Sequence, residues 1–394
     1  MSSSNLVRIA FIAESVYGVT PGAGNFKTAR FISEGLSGTP ETVESQQIRT
    51  DRQSSGQIVT GMTVGGSLGF ELAREAALDE FIESAMLSTW GTQALVTVDL
   101  TINATTKEIT RASGDWSSAL VIGDIVTLGG FDDAENNVQV MVAEFVSATV
   151  MRYVGPTGMI TGGGTTTTYK RADKISIGTT KKSFSMEKAF LDLTTKAIVY
   201  RGMMANTMEL NVAFGELIGG SFGFSGNDHQ TVDAAGDFIT FSRTIDAPAT
   251  TNTLNGSIDM PFLGSSALGD LDDAGLDIQS VNMSMNNNMS AQNVIGDIAP
   301  KDYSPGTAQI EMSISAYLKD AAWAMLAKKL TQESFSLGFM VKNAGGWYGF
   351  FFPAVQVSFE DPASGGQNQD ITLEMQGRAK VGAAGESAMT IYRS

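Results

Sequence analysis

Apolar and polar residues alternate along most of this chain. Phe70-Glu71-Leu72, Met208-Glu209-Leu210-Asn211-Val212, Ile310-Glu311-Met312-Ser313-Ile314, Val355-Gln356-Val357-Ser358-Phe359 and Ile371-Thr372-Leu373-Glu374-Met375 all carry the period of two that marks a strand with one buried and one wet face. Two segments break the pattern. Ala76–Met86 places Ala77, Leu78, Phe81, Ile82 and Ala85 at helical spacing, and Asp320–Leu330 does the same with Trp323, Leu326, Ala327 and Leu330. Each predicts an amphipathic helix of about three turns. The expected class is mainly β.

The two helices expose an internal repeat. Phe70-Glu71-Leu72 aligns with Met312-Ser313-Ile314 at an offset of 242 residues, which also sets Phe81 on Trp323 and Ala85 on Ala327. Further on, Lys182–Met186 matches Glu333–Leu337 at 151, Gly202–Leu210 matches Gly349–Val357 at 147, and Phe222, Phe224 and Gly226 match Leu373, Met375 and Gly377 at 151. The fall in offset places about 91 extra residues inside the first copy. The predicted organisation is a first unit over residues 1–90 and 177–243, an insertion over 91–176, and a second unit over 244–394. The insertion has its own alternating runs at Val96–Leu100, Gly123–Leu128 and Val138–Val142. Turn signals at Asn136-Asn137 and Gly162-Gly163-Gly164 separate them, so it reads as a small protruding β barrel or sandwich.

Composition removes most chemistry. The 394 residues include no cysteine and one histidine, which excludes disulfides, thiolate nucleophiles and multi-histidine metal sites. No apolar run reaches the length of a membrane span, and Met1–Arg8 lacks the basic-then-apolar pattern of a secretory signal, so synthesis in a cytosol is expected. Nucleotide-loop, zinc-protease and serine-hydrolase motifs are missing, and Gly22-Ala23-Gly24 reads as a turn. Asp270–Gly275 resembles the start of a calcium loop, but Ala274 and Val281 stand where ligands belong, which leaves a solvated loop. His229, beside Asp228, lacks a presented nucleophile and reads as an exposed loop residue. Glu75, Asp79, Glu80 and Glu83 lie along one face of the first helix and read as a solvated acidic face, not a pair of catalytic carboxylates. Met203, Met204 and Met208 suit core or interface packing. No cofactor, metal site or catalytic residue is expected. The net charge of −16 opposes binding to nucleic acid by phosphate neutralisation and suits a surface that DNA slides past.

One resemblance organises these features. Tyr200-Arg201-Gly202-Met203-Met204-Ala205-Asn206-Thr207-Met208-Glu209-Leu210-Asn211-Val212, followed by Gly215-Glu216-Leu217-Ile218-Gly219-Gly220-Ser221-Phe222-Gly223-Phe224-Ser225-Gly226, resembles a run found in the tail tube (major tail) proteins of long-tailed bacteriophages. The opening Glu14-Ser15-Val16-Tyr17-Gly18-Val19-Thr20-Pro21 resembles the start of the same proteins. The resemblance implies the tail-tube fold, an antiparallel sandwich or barrel flanked by a helix, here duplicated. It implies a structural protein, not an enzyme, that forms stacked rings in the virion tail after synthesis in the host cytoplasm. Inner strands would join edge to edge into a barrel that houses the tape measure protein and later passes DNA. Tail terminator and distal tail or baseplate proteins would meet the tube ends.

A doubled fold implies a homotrimeric, pseudo-hexameric ring, and one insertion per chain implies three external knobs whose deletion spares assembly. Edge pairing in a closed ring also disposes of the hazard of open sheet edges. The wet positions Glu209, Asn211, Gln356, Ser358, Glu360, Thr372 and Glu374 are the candidate lumen-facing residues. The N-terminal arm up to Phe26 and the segment Asp246–Asn255 are expected to order on a neighbouring subunit. The alternatives are a carbohydrate- or host-surface-binding β module and the inner tube of a contractile injection system.

Overall fold

The structure is a computed structural model. It describes residues 3–394 apart from 49, 52, 54–55, 235–239, 241–242, 249–252, 258–259, 261, 266–268, 271–276, 327–333, 363, 365–366, 368–369 and 384. The possible calcium loop therefore lies outside the described residues beyond Asp270.

The first half contains β1 (Val7–Ala13), β2 (Phe26–Ala29), β3 (Ser37–Glu44), β4 (Gln57–Glu71), α1 (Ala76–Met86), β5 (Asp173–Ser176), β6 (Phe184–Phe190), β7 (Ala197–Ala213), β8 (Gly219–Gly226) and β9 (Asp228–Val232). The second contains β10 (Phe262–Ser265), β11 (Gly269–Asp270), β12 (Ile278–Asn286), β13 (Gln309–Tyr317), α2 (Asp320–Leu326), β14 (Ser334–Asn343), β15 (Gly346–Phe359), β16 (Thr372–Lys380) and β17 (Thr390–Arg393). In the first half the antiparallel ladders run β2–β1–β6–β7–β9 and β3–β4–β8–β7. In the second they run β11–β10–β14–β15–β17 and β12–β13–β16–β15. The order is the same. Both halves even place a β-bulge at the same step, between Phe184 and Met186 in β6 and between Phe335 and Leu337 in β14.

The ladders also correct the sequence register. They equate Tyr200 with Phe352 and Met203 with Val355, an offset of 152, where the match of Gly202 to Gly349 implied 147. Gly202 has φ +68° and lies in the bulge, whereas Gly349 is paired with Met340 and Tyr392. Any two half-buried strands share a period of two, so matched composition cannot fix register between them.

Each half folds into two sheets packed face to face. Met208, Leu210 and Val212 of β7 and Met283, Ile314, Val357 and Met375 of the second half point into one shared core. The helix α1 fills the space between sheets of the first half. Phe81 packs on Phe11, Phe184, Phe222 and Phe224 with ring centroids 4.6, 5.4, 5.7 and 5.3 Å away, aromatic contacts worth about 1 kcal/mol each beyond burial. Leu87 ends the helix in a left-handed conformation. By contrast, α2 runs Asp320–Leu326, and Trp323 is 60% exposed where the sequence match set it on the buried Phe81. Residues 327–330 of the predicted helix lie outside the described residues.

Two expectations about arms change. The N-terminal segment is core, with Ile9, Phe11 and Phe26 fully buried in β1 and β2, because that apolar run supplies the strand beside β6. Ile245–Asp246 pairs in parallel with β2; residues 249–252 of the other candidate segment lie outside the described residues.

The insertion forms a separate eight-stranded sheet from Val96 to Arg171 with its own core around Trp116, Leu128, Val140 and Tyr153. Gly162–Gly164 is a short strand there, not a turn, paired with Leu100–Ile102. Asp173–Ser176, placed in the insertion by the sequence, is β5 and pairs with β17 in the large sheet. The insertion does not stand free. Ile125, Met141, Ala143 and Val154 pack on Met340, Trp347, Phe351 and Tyr392 of the second half. Gly349 and Gly338 leave room for Ile125 and Met141, and a Cβ on either glycine would collide with those side chains. Within the same contact Asp124 is fully buried, accepting from Tyr392 Oη at 3.1 Å and pairing with Lys174 Nζ at 2.9 Å. Residues 91–176 thus include β5 of the large sheet as well as the residues that cover this apolar face. Among the described residues no helix is long and apolar enough to cross a membrane.

Candidate assembly face

The halves meet in one sheet. The C-terminal part of β7 pairs with β12, from Thr207 opposite Asn286 to Ala213 opposite Ser280. The result is a continuous run of eight strands, β3–β4–β8–β7–β12–β13–β16–β15. Because side chains alternate across a strand, registers align the outward residues into rows. One row reads Ser221, Glu209, Ser284, Glu311, Arg378, Gln356. The next reads Gly219, Asn211, Asn282, Ser313, Gln376, Ser358. Both rows are wholly polar or glycine, while the intervening residues are core.

The structure brings the candidate residues together on this face. Glu209 and Asn211 lie on β7, Gln356 and Ser358 on β15, and Thr372 and Glu374 on β16; Glu360 lies exposed just past β15. Glu209 accepts from Ser221 Oγ at 3.0 Å and Glu374 from Ser315 Oγ at 2.6 Å, so the acidic groups are held by short hydroxyls and stay wet. Two shallow depressions indent the face. One is lined by Glu311, Gln356, Ser358, Gln376 and Arg378, the other by Glu209, Asn211, Asn282, Ser284 and Ser313. The sequence reading missed β12 and β13 as contributors. Their signal was the same alternation, in Val281-Asn282-Met283-Ser284-Met285-Asn286 and in Glu311 and Ser313.

The residues weighed for chemistry are structural. His229 is on β9, not in a loop. It is half-buried, opposite Tyr200 in the ladder with ring centroids 5.5 Å apart, and it fills the space over Gly38. The acidic face of α1 is not solvated. Asp79 is buried, paired with Arg74 and with Arg393 at 2.7 Å, and accepts from Tyr348 Oη at 2.8 Å. Lys182 binds Glu83 at 2.5 Å and Glu80 at 3.2 Å, and Lys27 also pairs with Glu80. The helix turns its acids toward bases from both halves, so apolar spacing identified the helix but not what covers its other side.

Glu75 is buried, with one carboxylate oxygen lacking a hydrogen-bond partner. Burial raises its pKa to about 7, against the opposing pull of Arg30. A shifted carboxylate can signal catalysis. Here the neighbouring Asp79 is committed to its ion pairs, and the described residues contain no cluster of metal-ligating side chains. Burial also drives the Tyr348 and Tyr392 hydroxyls well up, reinforced by Asp79 and Asp124. All three shifted groups are buried between packed elements.

The result is a wet, polar, shallowly indented sheet face that spans both halves, with an apolar core behind it. The family model for phage tail tube protein matches residues 4–379. The chain belongs to the phage tail tube protein family. No curated protein sequence matches it. As a tail tube protein it is structural and not an enzyme, its place is the virion tail, and it works as part of an oligomeric assembly. The matched span runs from the first half across the insertion into the second half.

Proposed function

We propose that this tail tube protein forms stacked homotrimeric rings of a long-tailed phage, with the eight-stranded polar face lining a channel that houses the tape measure protein and conducts DNA. The observation that carries this reading is the continuity of that face through the β7–β12 joint. Each half supplies four strands of it, so one chain does the work of two single-fold subunits and three chains make a pseudo-sixfold ring. We read the halves as two copies of one tail-tube fold, with the insertion lying between the first helix and β5.

Strand spacing supports the number three. At about 4.8 Å per strand, eight strands from each of three chains make a circle roughly 37 Å across, before strand tilt widens it. Side chains reaching about 5 Å inward leave a channel on the order of 25–30 Å, enough for a DNA duplex. Six chains would double the circle. The lining also suits passage. Hydroxyl, amide and scattered acidic groups offer phosphates little to bind, and Arg378 lies beside Glu311 in its row.

The insertion packs on the opposite side of the sandwich, because Met340 and Phe351 alternate with the core residues Val341, Phe350 and Phe352. It would therefore decorate the tube exterior. Synthesis in the host cytoplasm, and contacts of the end rings with tail terminator and distal tail or baseplate proteins, follow from the same role. The test is electron cryo-microscopy of tails containing the chain. Three copies per ring around a channel lined by Glu209 and Gln356 are expected. Six copies would overturn the trimer, and a tail without rings of this chain would overturn the tube reading.

A further inference from the structure

We infer that the chain carries within itself the template for its joint to the next copy: β15 of one chain pairs antiparallel with β3 of its neighbour, as β7 pairs with β12 inside the chain. This rests on the ring reading above and adds which edges meet and in what register.

The argument is one of equivalent positions. β3 is to β4 what β12 is to β13, and β15 is to β16 what β7 is to β8. The internal joint is thus between the last strand of one four-stranded unit and the first strand of the next. The same two kinds of edge stand open at the ends of the eight-stranded run. Among the described residues β3 has one ladder partner, β4, and β15 has none on its far side beyond Gln356. Two open edges on one sheet are an aggregation hazard unless they are made for each other.

The register transfers residue by residue. The shared bulge equates Met203 with Val355, hence Met204 with Gln356 and their partners Ser225 with Arg378. Two steps along, Gly223 corresponds to Gln376, so Thr207 corresponds to Ser358 and Ser67 to Ser313. Gly35, whose N–H donates to the Ser67 carbonyl at 2.8 Å, then corresponds to Asn282, and Thr39 to Asn286. The internal pairs Thr207–Asn286, Met208–Met285 and Glu209–Ser284 become Ser358–Thr39, Phe359–Gly38 and Glu360–Ser37 between copies.

Edge chemistry limits which positions of β3 can pair. Inside the chain, Phe214 N–H donates to Gln279 and Asn287 N–H to Asn206, so odd-numbered residues of β12 bond across the joint. Their counterparts on β3 are Leu36, Gly38 and Pro40. Leu36 N–H already donates to Glu34 Oε2 at 3.2 Å, and its carbonyl accepts from Tyr200 Oη at 3.0 Å. Pro40 has no N–H. Gly38 is left as the position able to exchange both backbone bonds, and its counterpart is Phe359. One fully open position between two partly committed ones limits the bonds a foreign strand can make and resists promiscuous pairing, while the register itself follows from the equivalence with the β7–β12 joint.

The cysteine-free sequence makes the test clean. Thr39 and Ser358 fall at a non-hydrogen-bonded pair, where Cβ atoms approach to about 4.5–5.5 Å, close to disulfide range. Thr39→Cys with Ser358→Cys in one chain, oxidised in assembled tails, should convert most chains from monomer to covalent trimer on a non-reducing denaturing gel, reversibly with reductant. Thr207→Cys with Asn286→Cys should oxidise within the chain and stay monomeric. If the internal pair oxidises while the inter-copy pair stays monomeric in tails with intact rings, the register is wrong though the tube reading stands. Should the double-cysteine chain fail to assemble, a map of wild-type tails decides. β15 of the adjacent chain beside β3, with Phe359 opposite Gly38, supports the inference, and any other neighbour or register overturns it. Tails with no rings of this chain would instead overturn the tube reading.

Discussion

The outer faces of the two halves are built on the same ladder positions and dressed in opposite ways. In the first half, Ala189, Ala197, Val199 and Val232 form a small buried cluster. The ladders place Met340, Gly349, Phe351 and Tyr392 at the corresponding positions of the second half. Beside them the first half buries Glu187, held by Thr240 and by Arg8 at 3.4 Å, where the second has Gly338. Small side chains and a buried ion pair suit the thin covering that Thr240 and Arg8 supply. Large apolar side chains and two glycine notches suit a whole docked domain. Core-facing residues are apolar in both halves and set the ladder order, so the outer face could specialise without disturbing the fold.

Removing the docked domain breaks the comparison most severely. Deleting residues 96–171 while keeping β5 exposes Met340, Trp347, Phe351 and Tyr392. At roughly 1.5–3 kcal/mol for each large apolar side chain, the loss is on the order of 6–12 kcal/mol, comparable with the whole stability of many domains. The deleted chain should be insoluble or lack a cooperative melt. Giving it the first-half residues, Met340→Ala, Phe351→Val and Tyr392→Val, should restore soluble protein. A deletion that melts like the full chain without those changes would show that the contact carries no weight.

Next in size is Asp79→Ala. Asp79 of α1 holds Arg74, Arg393 and Tyr348, so one carboxylate ties the first helix to two strands of the second half. Removing one member of a buried pair typically costs about 3–5 kcal/mol because the remaining charges stay buried. Urea unfolding should show that loss. In the second half α2 presents Trp323 to solvent, and Trp323→Ser should move the isolated chain's stability by less than about 0.5 kcal/mol.

The entry to each helix differs as well. Glu75 precedes α1, whereas the exposed Lys319 precedes α2. With its folded pKa raised to about 7 from 4.5, Glu75 keeps its proton in the folded chain over a range where the unfolded chain has lost it. Stability is therefore highest below about pH 4.5 as far as this group is concerned, declines as pH rises toward 7, and is flat above it. The decline is worth about 3 kcal/mol, and Glu75→Gln should abolish it and raise stability at pH 8. Equal pH slopes for the two proteins between pH 5 and 7 would place the shift elsewhere.

Much of this was legible in the sequence because strands and helix advertise themselves through the residues they bury. The period of two located β7, β13, β15 and β16, and helical spacing fixed Ala76–Met86 to the residue. Glu209, Asn211, Gln356 and Ser358 were legible as wet positions for the same reason. What escaped was everything decided between elements. Half-buried strands match each other in several registers, so the repeat was visible but its alignment slipped. The acids of α1 gave no sign that Lys27, Lys182 and Arg393 would meet them, because those bases are distant in sequence. The apolar residues Met340 and Phe351 read as ordinary strand content, and nothing local told which of them faced a second domain.

The finest test of the comparison reverses a single position. Ala197 in the first half and Gly349 in the second occupy one ladder site, and only the second has a side chain, Ile125, seated where a Cβ would go. Gly349→Ala should therefore cost about 1–3 kcal/mol by overpacking, although alanine is the better strand residue in isolation. Ile125→Ala alone opens a cavity and costs a similar amount or more. Together the two changes should cost measurably less than their sum, because the new methyl enters the space the isoleucine left. A double-mutant cycle on urea denaturation gives that coupling directly. Additive losses would mean that Ile125 and Gly349 do not meet, and the docking contact would then have to be redrawn.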